Sequence, residues 1–319
     1  MKLATPAYHN REGVCILSPW GLVPIAAVNR RCNCNWPTGM AGLLATGALE
    51  RLQAWYCAAG QGALAALPRT EMLPASEVRW RPPYRHPHKI WGIGLNYREH
   101  AADLAESAPQ GIPASFMKPD TALIGHGDTI EIPTASQRTT AEAELGIIIG
   151  RKCRHVACAD WLKVVAGFTA VIDMTAEDIL RQNPRYLTLA KSFDTFFSFG
   201  PAVLTPEEIP DISRLEVATV LNGQVHAANS VANMTFAPDF LVAYHSRIMT
   251  LLPGDIISTG TPGAAVIRDG DVVEARITGF PRLSNPVRDL KSGPCPEERC
   301  DRRTGTHPEA GDDGQPPRR

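Results

Sequence analysis

Hydrophobic and polar residues alternate over short stretches of the chain, and glycine and proline separate these stretches. This pattern is typical of a mainly β protein with tight turns. In the main part of the chain, helical stretches are predicted at 176–181 and 238–249, and in the second stretch Phe240, Tyr244 and Ile248 recur at helical spacing. The predicted strands of the main part of the chain cover residues 89–95, 122–124, 128–132, 142–149, 165–173, 201–204, 215–222, 255–258 and 271–278.

The N-terminal part of the chain has a different pattern. A short strand is predicted at 13–17, and a helix pair at 38–45 and 47–58. The stretch 78–87 is rich in arginine and proline, which suits an extended connector because proline disfavours a helix interior.

Beyond Asn285, apolar residues almost vanish and Gly, Pro, Arg, Asp and Glu dominate, which predicts a disordered tail. We therefore expect a small N-terminal α/β subdomain with its connector at 1–80, a main domain at 81–288 and a disordered tail at 289–319. The predicted fold class is mainly β with short helices, that is, α+β.

The chain has 319 residues, of which 44% are hydrophobic and 20% are charged, and its formal net charge is -1. A chain with this charge has no strong positive electrostatic field that would attract nucleic acid or an anionic membrane. Its N-terminus lacks the apolar segment of a secretory signal, and no stretch approaches the roughly 18 apolar residues of a membrane span. We expect a cytoplasmic protein that binds a small molecule and neither nucleic acid nor membrane.

The eight cysteines are scattered through a chain that is too long to need a disulfide framework. We therefore expect them to be reduced thiols. Cys32 and Cys34 lack a second pair at zinc-finger spacing, so the sequence does not favour a zinc site there.

Glu142 and Glu144 are the most informative residues, because they lie one residue apart at the start of an apolar strand. Side chains at i and i+2 of a strand point to the same face, so the two carboxylates would lie side by side. Their repulsion grows on burial, and a divalent cation that prefers oxygen ligands would neutralise them. Taken alone, the pair is more typical of an edge strand with both glutamates in water.

Two further charged residues follow buried segments. Asp173 comes after an apolar strand, a favoured position for a ligand, and the next residues could start a helix with Thr175 as its cap. A plain turn or cap residue is the alternative for Asp173. Lys191 lies among apolar and small residues and could enter a pocket as a cation, although a surface lysine is the usual alternative.

His100 and Asp103 are three residues apart, so they share one face of a predicted helical turn. A carboxylate that orients an imidazole suits a base that activates water, and a solvent-exposed turn is the alternative. The turn Ser-Thr-Gly-Thr-Pro-Gly at 258–263 offers N–H groups and hydroxyls that could bind a carboxylate. It matches neither a P-loop nor a dinucleotide fingerprint.

Several motifs in a fixed order make the pattern specific. They are Ile-Gly-Leu-Asn-Tyr-Arg-Glu-His-Ala-Ala-Asp, Phe-Met-Lys-Pro, Ala-Glu-Ala-Glu-Leu-Gly, Lys-Ser-Phe-Asp-Thr-Phe, Leu-Asn-Gly, Ser-Arg-Ile-Met-Thr-Leu-Leu-Pro-Gly-Asp and Ser-Thr-Gly-Thr-Pro-Gly. In this order, over roughly residues 85–288, the chain resembles the fumarylacetoacetate hydrolase family. The order of the motifs is far more specific than any one of them.

The resemblance implies a mixed β-sheet roll, a homodimer and a divalent metal, usually magnesium or manganese, with calcium as a further possibility. It implies that Lys191 is the active-site lysine, and that Thr261, next to Gly260, binds substrate. The metal ligands that it implies are Glu142, Glu144 and Asp173.

His100 matches the histidine of the catalytic dyad of acylpyruvase-type members of the family. The dyad's partner in that motif is a glutamate, whereas this chain has Asp103, which is shorter by one methylene. Glu106 is no replacement, because six residues along a helix place it about 240° round from the histidine.

The resemblance implies an enzyme that cleaves a C–C bond in a 2,4-dioxo acid, with water activated by a histidine and with metal and lysine stabilising the enolate product. An isomerase, hydratase or decarboxylase acting on 2-oxo acids of aromatic catabolism is the alternative, and an isomerase or decarboxylase needs no hydrolytic water. A non-catalytic protein that binds a metal and a metabolite is the third hypothesis.

Overall fold

The structure, a computed structural model, describes residues 1–98, 109 and 111–292 of the chain. Within these residues the strands form a 13-stranded sheet and a 5-stranded sheet, both with parallel and antiparallel pairs, and the helices are short. This architecture confirms the predicted α+β class.

The larger sheet contains the strands that carry the candidate site. Its members are β1 (Lys2–Tyr8), β2 (Arg11–Glu12), β3 (Cys15–Ser18), β4 (Gly21–Pro24), β5 (Arg79–Arg81), β6 (Ile90–Gly94), β7 (Ala114–Lys118), β8 (Leu123–Ile124), β10 (Thr139–Ile149), β11 (Val165–Ala176), β12 (Phe197–Leu204), β15 (Ile256–Ser258) and β16 (Ala264–Val266). The smaller sheet consists of β9 (Ile130–Ile132), β13 (Glu216–Leu221), β14 (Gln224–Ser230), β17 (Val272–Ile277) and β18 (Leu283–Asp289).

The described residues also form short helices. The α-helices are α1 (Ile25–Cys32), α2 (Met40–Ala45), α3 (Ala48–Trp55), α4 (Gln61–Ala65), α5 (Glu177–Gln182), α6 (Leu187–Lys191) and α7 (Pro238–Ile248). A π-helical turn, Tyr56–Gly60, joins α3 to α4. Short 3-10 helices are Arg69–Glu71, Asp120–Ala122, Cys158–Val164, Pro184–Tyr186, Pro206–Glu208, Ile212–Arg214, Val231–Asn233 and Leu290–Ser292.

The strands β10 and β11 form the centre of the larger sheet. They pair antiparallel along almost their full lengths, from Thr139 opposite Ala176 to Ile149 opposite Val165. All of β11 is buried, and so is all of β10 except the partly exposed Glu142, as expected of apolar strands covered on both faces. Because β10 also pairs with β15 and β16, the alternative of a solvated edge strand is wrong.

The junction between β11 and α5 differs from the prediction. The strand continues through Ala176, so Asp173 lies inside the strand and not after its end. The predicted cap at Thr175 is wrong, because α5 begins at Glu177 and no side chain caps it. Continued pairing with β10 satisfies the backbone here and keeps the chain extended.

The N-terminal residues contribute to the same sheet as the candidate site, since β1 pairs with β12 and with β3. The predicted helix pair is present as α2 and α3, and the predicted strand at 13–17 is observed as β3. Helix α1 was not predicted, and it buries Ile25 and Val28 in the core. The predicted domain boundaries at residues 80 and 288 stay predictions.

Most of the predicted tail, residues 293–319, lies outside the described residues. Strand β18 runs to Asp289, one residue past the predicted end of the main domain. Among the helices of residues 1–98, 109 and 111–292, none is long and apolar enough to cross a membrane.

Candidate metal centre

Three carboxylates converge on one face of the two central strands. Glu142 on β10 lies directly opposite Asp173 on β11, and Glu144 follows two residues along β10 on the same face. One oxygen of each side chain lies within 4.8 Å of the others. Glu144 and Asp173 are each 1% exposed. The strand register therefore brings the three predicted ligands together.

Neutral donors hold Glu144 in place. Its Oε2 accepts a hydrogen bond of 2.5 Å from Ser258 Oγ and one of 2.8 Å from the N–H of Gly260. Burial, and then the negative charge of Asp173, raise the pKa of Glu144 to about 8. A carboxyl of this kind gains its charge when a cation binds beside it, because the cation offsets both causes of the raised pKa.

Two buried lysines bind Asp173. Lys191 Nζ lies 2.5 Å from Asp173 Oδ2 and 3.0 Å from Glu142 Oε2. Lys118 Nζ donates to Asp173 Oδ1 and, at 2.9 Å, to the carbonyl oxygen of Met174. The prediction placed Lys191 at the site but not Lys118. The available sign of Lys118 was its position in Phe-Met-Lys-Pro, where the alternating burial of β7 turns it inward.

The two lysines differ in their charge balance. Burial opposes the charge of Lys191, but Asp173 and Glu142 outweigh it and raise its pKa above the usual range of lysine, so it stays protonated. Burial dominates at Lys118, which binds a single carboxylate, and lowers its pKa to about 8. For Asp173, burial favours the neutral acid, yet the two ammonium groups outweigh it and lower its pKa below the usual value.

A glycine turn after β15 closes the site. Gly260 has a φ of +94°, and a Cβ there would lie 2.8 Å from the Cβ of Asn96 and 3.0 Å from the carbonyl oxygen of Ile93. Only glycine therefore lets this backbone N–H approach Glu144. The Thr261 hydroxyl donates to the carbonyl oxygen of Gly263 at 3.1 Å and is 4% exposed. Its substrate-binding role stays a prediction.

The carboxylates open into a cavity of about 590 Å³. Lys191 and Thr261 line it, as do Glu142 and Glu144, and the ring of Phe116 lies 4.5 Å from Lys191 Nζ. Its volume suits a small molecule. A larger cavity of about 740 Å³ lies between α2, α3 and the larger sheet, and none of the predicted site residues lines it.

The donor set fits a hard divalent cation, since three carboxylate oxygens converge and no thiolate or imidazole of the described residues is among them. His100 and Asp103, the predicted dyad, lie outside the described residues, and so does Glu106. Their roles stay predictions.

The fold and the site define a class, namely an α+β protein whose buried carboxylates can hold a divalent cation. Residues 89–288 match the family model described as fumarylacetoacetate (FAA) hydrolase C-terminal. The chain belongs to the fumarylacetoacetate hydrolase family. This membership confirms the resemblance noted in the sequence.

Individual relatives carry different activities. The chain is 33% identical to a mitochondrial oxaloacetate tautomerase of Rattus norvegicus over 247 residues, which is 75% of this chain and 78% of the relative. A solved 5-carboxymethyl-2-hydroxymuconate delta-isomerase from Mycobacterium smegmatis is 29% identical, with a TM-score of 0.70 over 91% of this chain and 99% of that one. A maleylpyruvate hydrolase from Sphingobium sp., solved with manganese (II) ion and pyruvate, is 27% identical, with a TM-score of 0.72 and the same coverage.

Proposed function

We propose that the protein is a divalent-metal-dependent hydrolase that cleaves a C–C bond in a 2,4-dioxo acid. The observation that carries the proposal is the convergence of three carboxylates and two buried lysines at one end of a cavity. The similarity to a maleylpyruvate hydrolase supports it. A homodimer and a cytoplasmic location stay predictions.

Glu142, Glu144 and Asp173 would hold the cation, which we propose to be Mg²⁺, with Mn²⁺ or Ca²⁺ as substitutes. Held by these residues, a divalent cation would supply Lewis-acid chemistry to the 2-oxo acid end of the substrate. Manganese in a related structure supports this assignment.

The lysines supply fixed positive charge to the same end of the cavity. Lys191 stays protonated and lines the cavity, so its ammonium group can stabilise negative charge on the departing pyruvate unit. Lys118 lies behind Asp173 and holds that carboxylate in position from the buried side. Their positions are fixed by β7 and α6 before any substrate binds.

We propose His100 as the base and Asp103 as the residue that orients its ring, on the basis of the sequence motif. The imidazole takes a proton from water, and the oxygen of that water adds to the distal carbonyl carbon. The C–C bond then breaks, giving a carboxylic acid and pyruvate, and the electron pair of the bond stays with the pyruvate unit until it is protonated.

Tautomerisation or isomerisation of a 2-oxo acid is the second candidate. The identity with an oxaloacetate tautomerase and the similarity to a muconate isomerase favour it. Such a reaction moves a proton between carbon and oxygen and needs no water attack, so the shorter side chain of Asp103 would matter less.

The test measures acylpyruvate hydrolysis and oxaloacetate tautomerisation on one preparation, with and without Mg²⁺. Glu142→Gln is expected to abolish metal-dependent turnover, whereas Glu216→Gln, at an exposed position on β13, should leave it unchanged. His100→Ala should reduce hydrolysis by orders of magnitude, consistent with the usual contribution of general base catalysis.

Full hydrolysis by either Glu142→Gln or His100→Ala would contradict the proposal. Asp103→Glu separates the two candidates. A large gain in hydrolysis would show that aspartate is a poor partner for His100, and would favour tautomerisation as the native reaction.

A further inference from the structure

Two threonines line the cavity next to the carboxylates, two residues away from them along the central strands. Thr140 on β10 and Thr175 on β11 are directly opposite each other, and each lies two residues from a candidate ligand, Glu142 or Asp173, on the same face. Both threonines are 3% exposed, and both border the cavity. The polar face of the central strands therefore continues past the metal centre.

The hydroxyl of Thr175 is available to a ligand. Its Oγ1 is buried and, among the described residues, has no hydrogen-bond partner. A buried hydroxyl without a partner has lost its water without compensation, and an acceptor oxygen of a ligand would relieve that cost. The residue does not cap α5, so the helix does not explain it.

A cluster of charged side chains lies at the start of α5, two residues after Thr175. Glu177, the first residue of α5, pairs with Arg138, and its Oε1 lies 2.6 Å from a guanidinium nitrogen of Arg181 one turn later. Two guanidinium groups share a single carboxylate, so the three charges sum to one positive charge. Glu177 and Arg181 both line the cavity. The Arg181 side chain is 61% exposed, so its planar fork keeps donors free for an anion.

We propose that Thr175 and Arg181 bind the second carboxylate of a dicarboxylic 2-oxo acid whose first carboxylate lies at the metal centre. This inference deepens the proposed function and rests on it for the position of the first carboxylate. Leu180 and Leu187 supply apolar wall for the carbon chain of the substrate. A substrate with an apolar distal end would instead place hydrocarbon against the guanidinium and the unpaired hydroxyl, and both would lose solvation without a partner.

Two probes of equal chain length isolate the distal carboxylate. 2-Oxoglutarate and 2-oxopentanoate share the same 2-oxo acid end, and only the first has a carboxylate at the other end. Calorimetric titration of each into the Mg²⁺-loaded protein measures binding without turnover. We expect 2-oxoglutarate to bind at least tenfold more tightly, in keeping with a hydrogen bond to a charged group.

Arg181→Gln is expected to remove that tenfold preference, and Thr175→Val to reduce it several-fold at nearly constant volume. Arg185→Gln is the matched control, because Arg185 is exposed, follows α5 closely and does not line the cavity. The affinity for 2-oxopentanoate should stay constant in all three variants. Thermal unfolding of each variant verifies that it is folded.

Equal affinity of the two probes for the wild-type protein would overturn the inference and leave the proposed function intact. Unchanged 2-oxoglutarate affinity in Arg181→Gln would do the same. Failure of both probes to bind the Mg²⁺-loaded protein would overturn the inference together with the proposed metal end of the site.

Discussion

Replacing Asp173 by asparagine tests what holds the two lysines inside the protein. Lys191 would keep its contact with Glu142, but Lys118 would retain only the carbonyl oxygen of Met174. At 3% exposure, Lys118 cannot recover its charge through water. The substitution therefore leaves one buried ammonium group without a carboxylate partner.

The magnitude follows from this geometry. Removing one partner of a buried ion pair costs about 3–5 kcal/mol. The loss of stability that comes from Lys118 has an upper limit, because the side chain can lose its proton. Because the pKa of Lys118 is already lowered to about 8, losing that proton at pH 7 costs only about 1.4 kcal/mol relative to the wild-type protein. We expect Asp173→Asn to lower the free energy of unfolding by about 1–2 kcal/mol, because deprotonation limits the cost at Lys118.

A double-mutant cycle in metal-free buffer at pH 7 measures the effect by urea unfolding. Lys118→Met removes the charge that Asp173→Asn leaves unpaired, so the double variant should be more stable than the sum of the single effects by about 1–3 kcal/mol. Asp211→Asn, at a half-exposed site, is the control and should be additive with Lys118→Met. Strict additivity of Asp173→Asn and Lys118→Met would refute the reasoning.

Three further predictions concern the metal, pH and backbone. Mg²⁺ at 100 times its Kd should stabilise the wild-type protein by about 2.7 kcal/mol, measured as a rise in Tm, and Glu142→Gln should lose that rise; an unchanged wild-type Tm would contradict a metal site. Burial lowers the pKa of His245 below its usual 6.5 despite the hydrogen bond to the Leu241 carbonyl oxygen. The unfolded chain therefore takes up this proton first, and as pH falls below about 6.5 the contribution of His245 to stability should fall by up to about 1.4 kcal/mol per unit; urea unfolding of wild type and His245→Gln at each pH should show this difference in slope. Gly260→Ala should cost about 1–3 kcal/mol of unfolding free energy, because its φ is +94° and its Cβ would lie 2.8 Å from Asn96, and a Tm equal to wild type would contradict this.

The central strands and the pair Glu142 and Glu144 could be predicted because their patterns are local, whereas the ligand role of Asp173 is implied by the resemblance to the family. Apolar runs define β10 and β11, and the i and i+2 spacing alone puts Glu142 and Glu144 on one face. The polar strand β14 was missed, since it lies at the edge of its sheet and is mostly exposed, and such a strand leaves no hydrophobic alternation in the sequence.

The neighbours of the carboxylates could not be predicted, because they depend on which strands pair. Lys118 reaches Asp173 across 55 positions of sequence, and Gly260 reaches Glu144 across 116. Nothing local specifies that β7 and β15 approach β10 and β11. The unpaired hydroxyl of Thr175 could not be predicted because the local sequence favours a different role. A threonine just before a predicted helix commonly caps that helix.

The two ends of the cavity are formed by different kinds of structural element. The carboxylates lie on central strands that other strands hold on both sides, whereas the distal wall is a connecting segment, 177–187, between β11 and α6. Substitutions, insertions or deletions in that segment can alter the length and charge of the accepted substrate while leaving the strand register intact. For protein engineering, a library limited to these positions would vary substrate choice and keep the reactive centre constant.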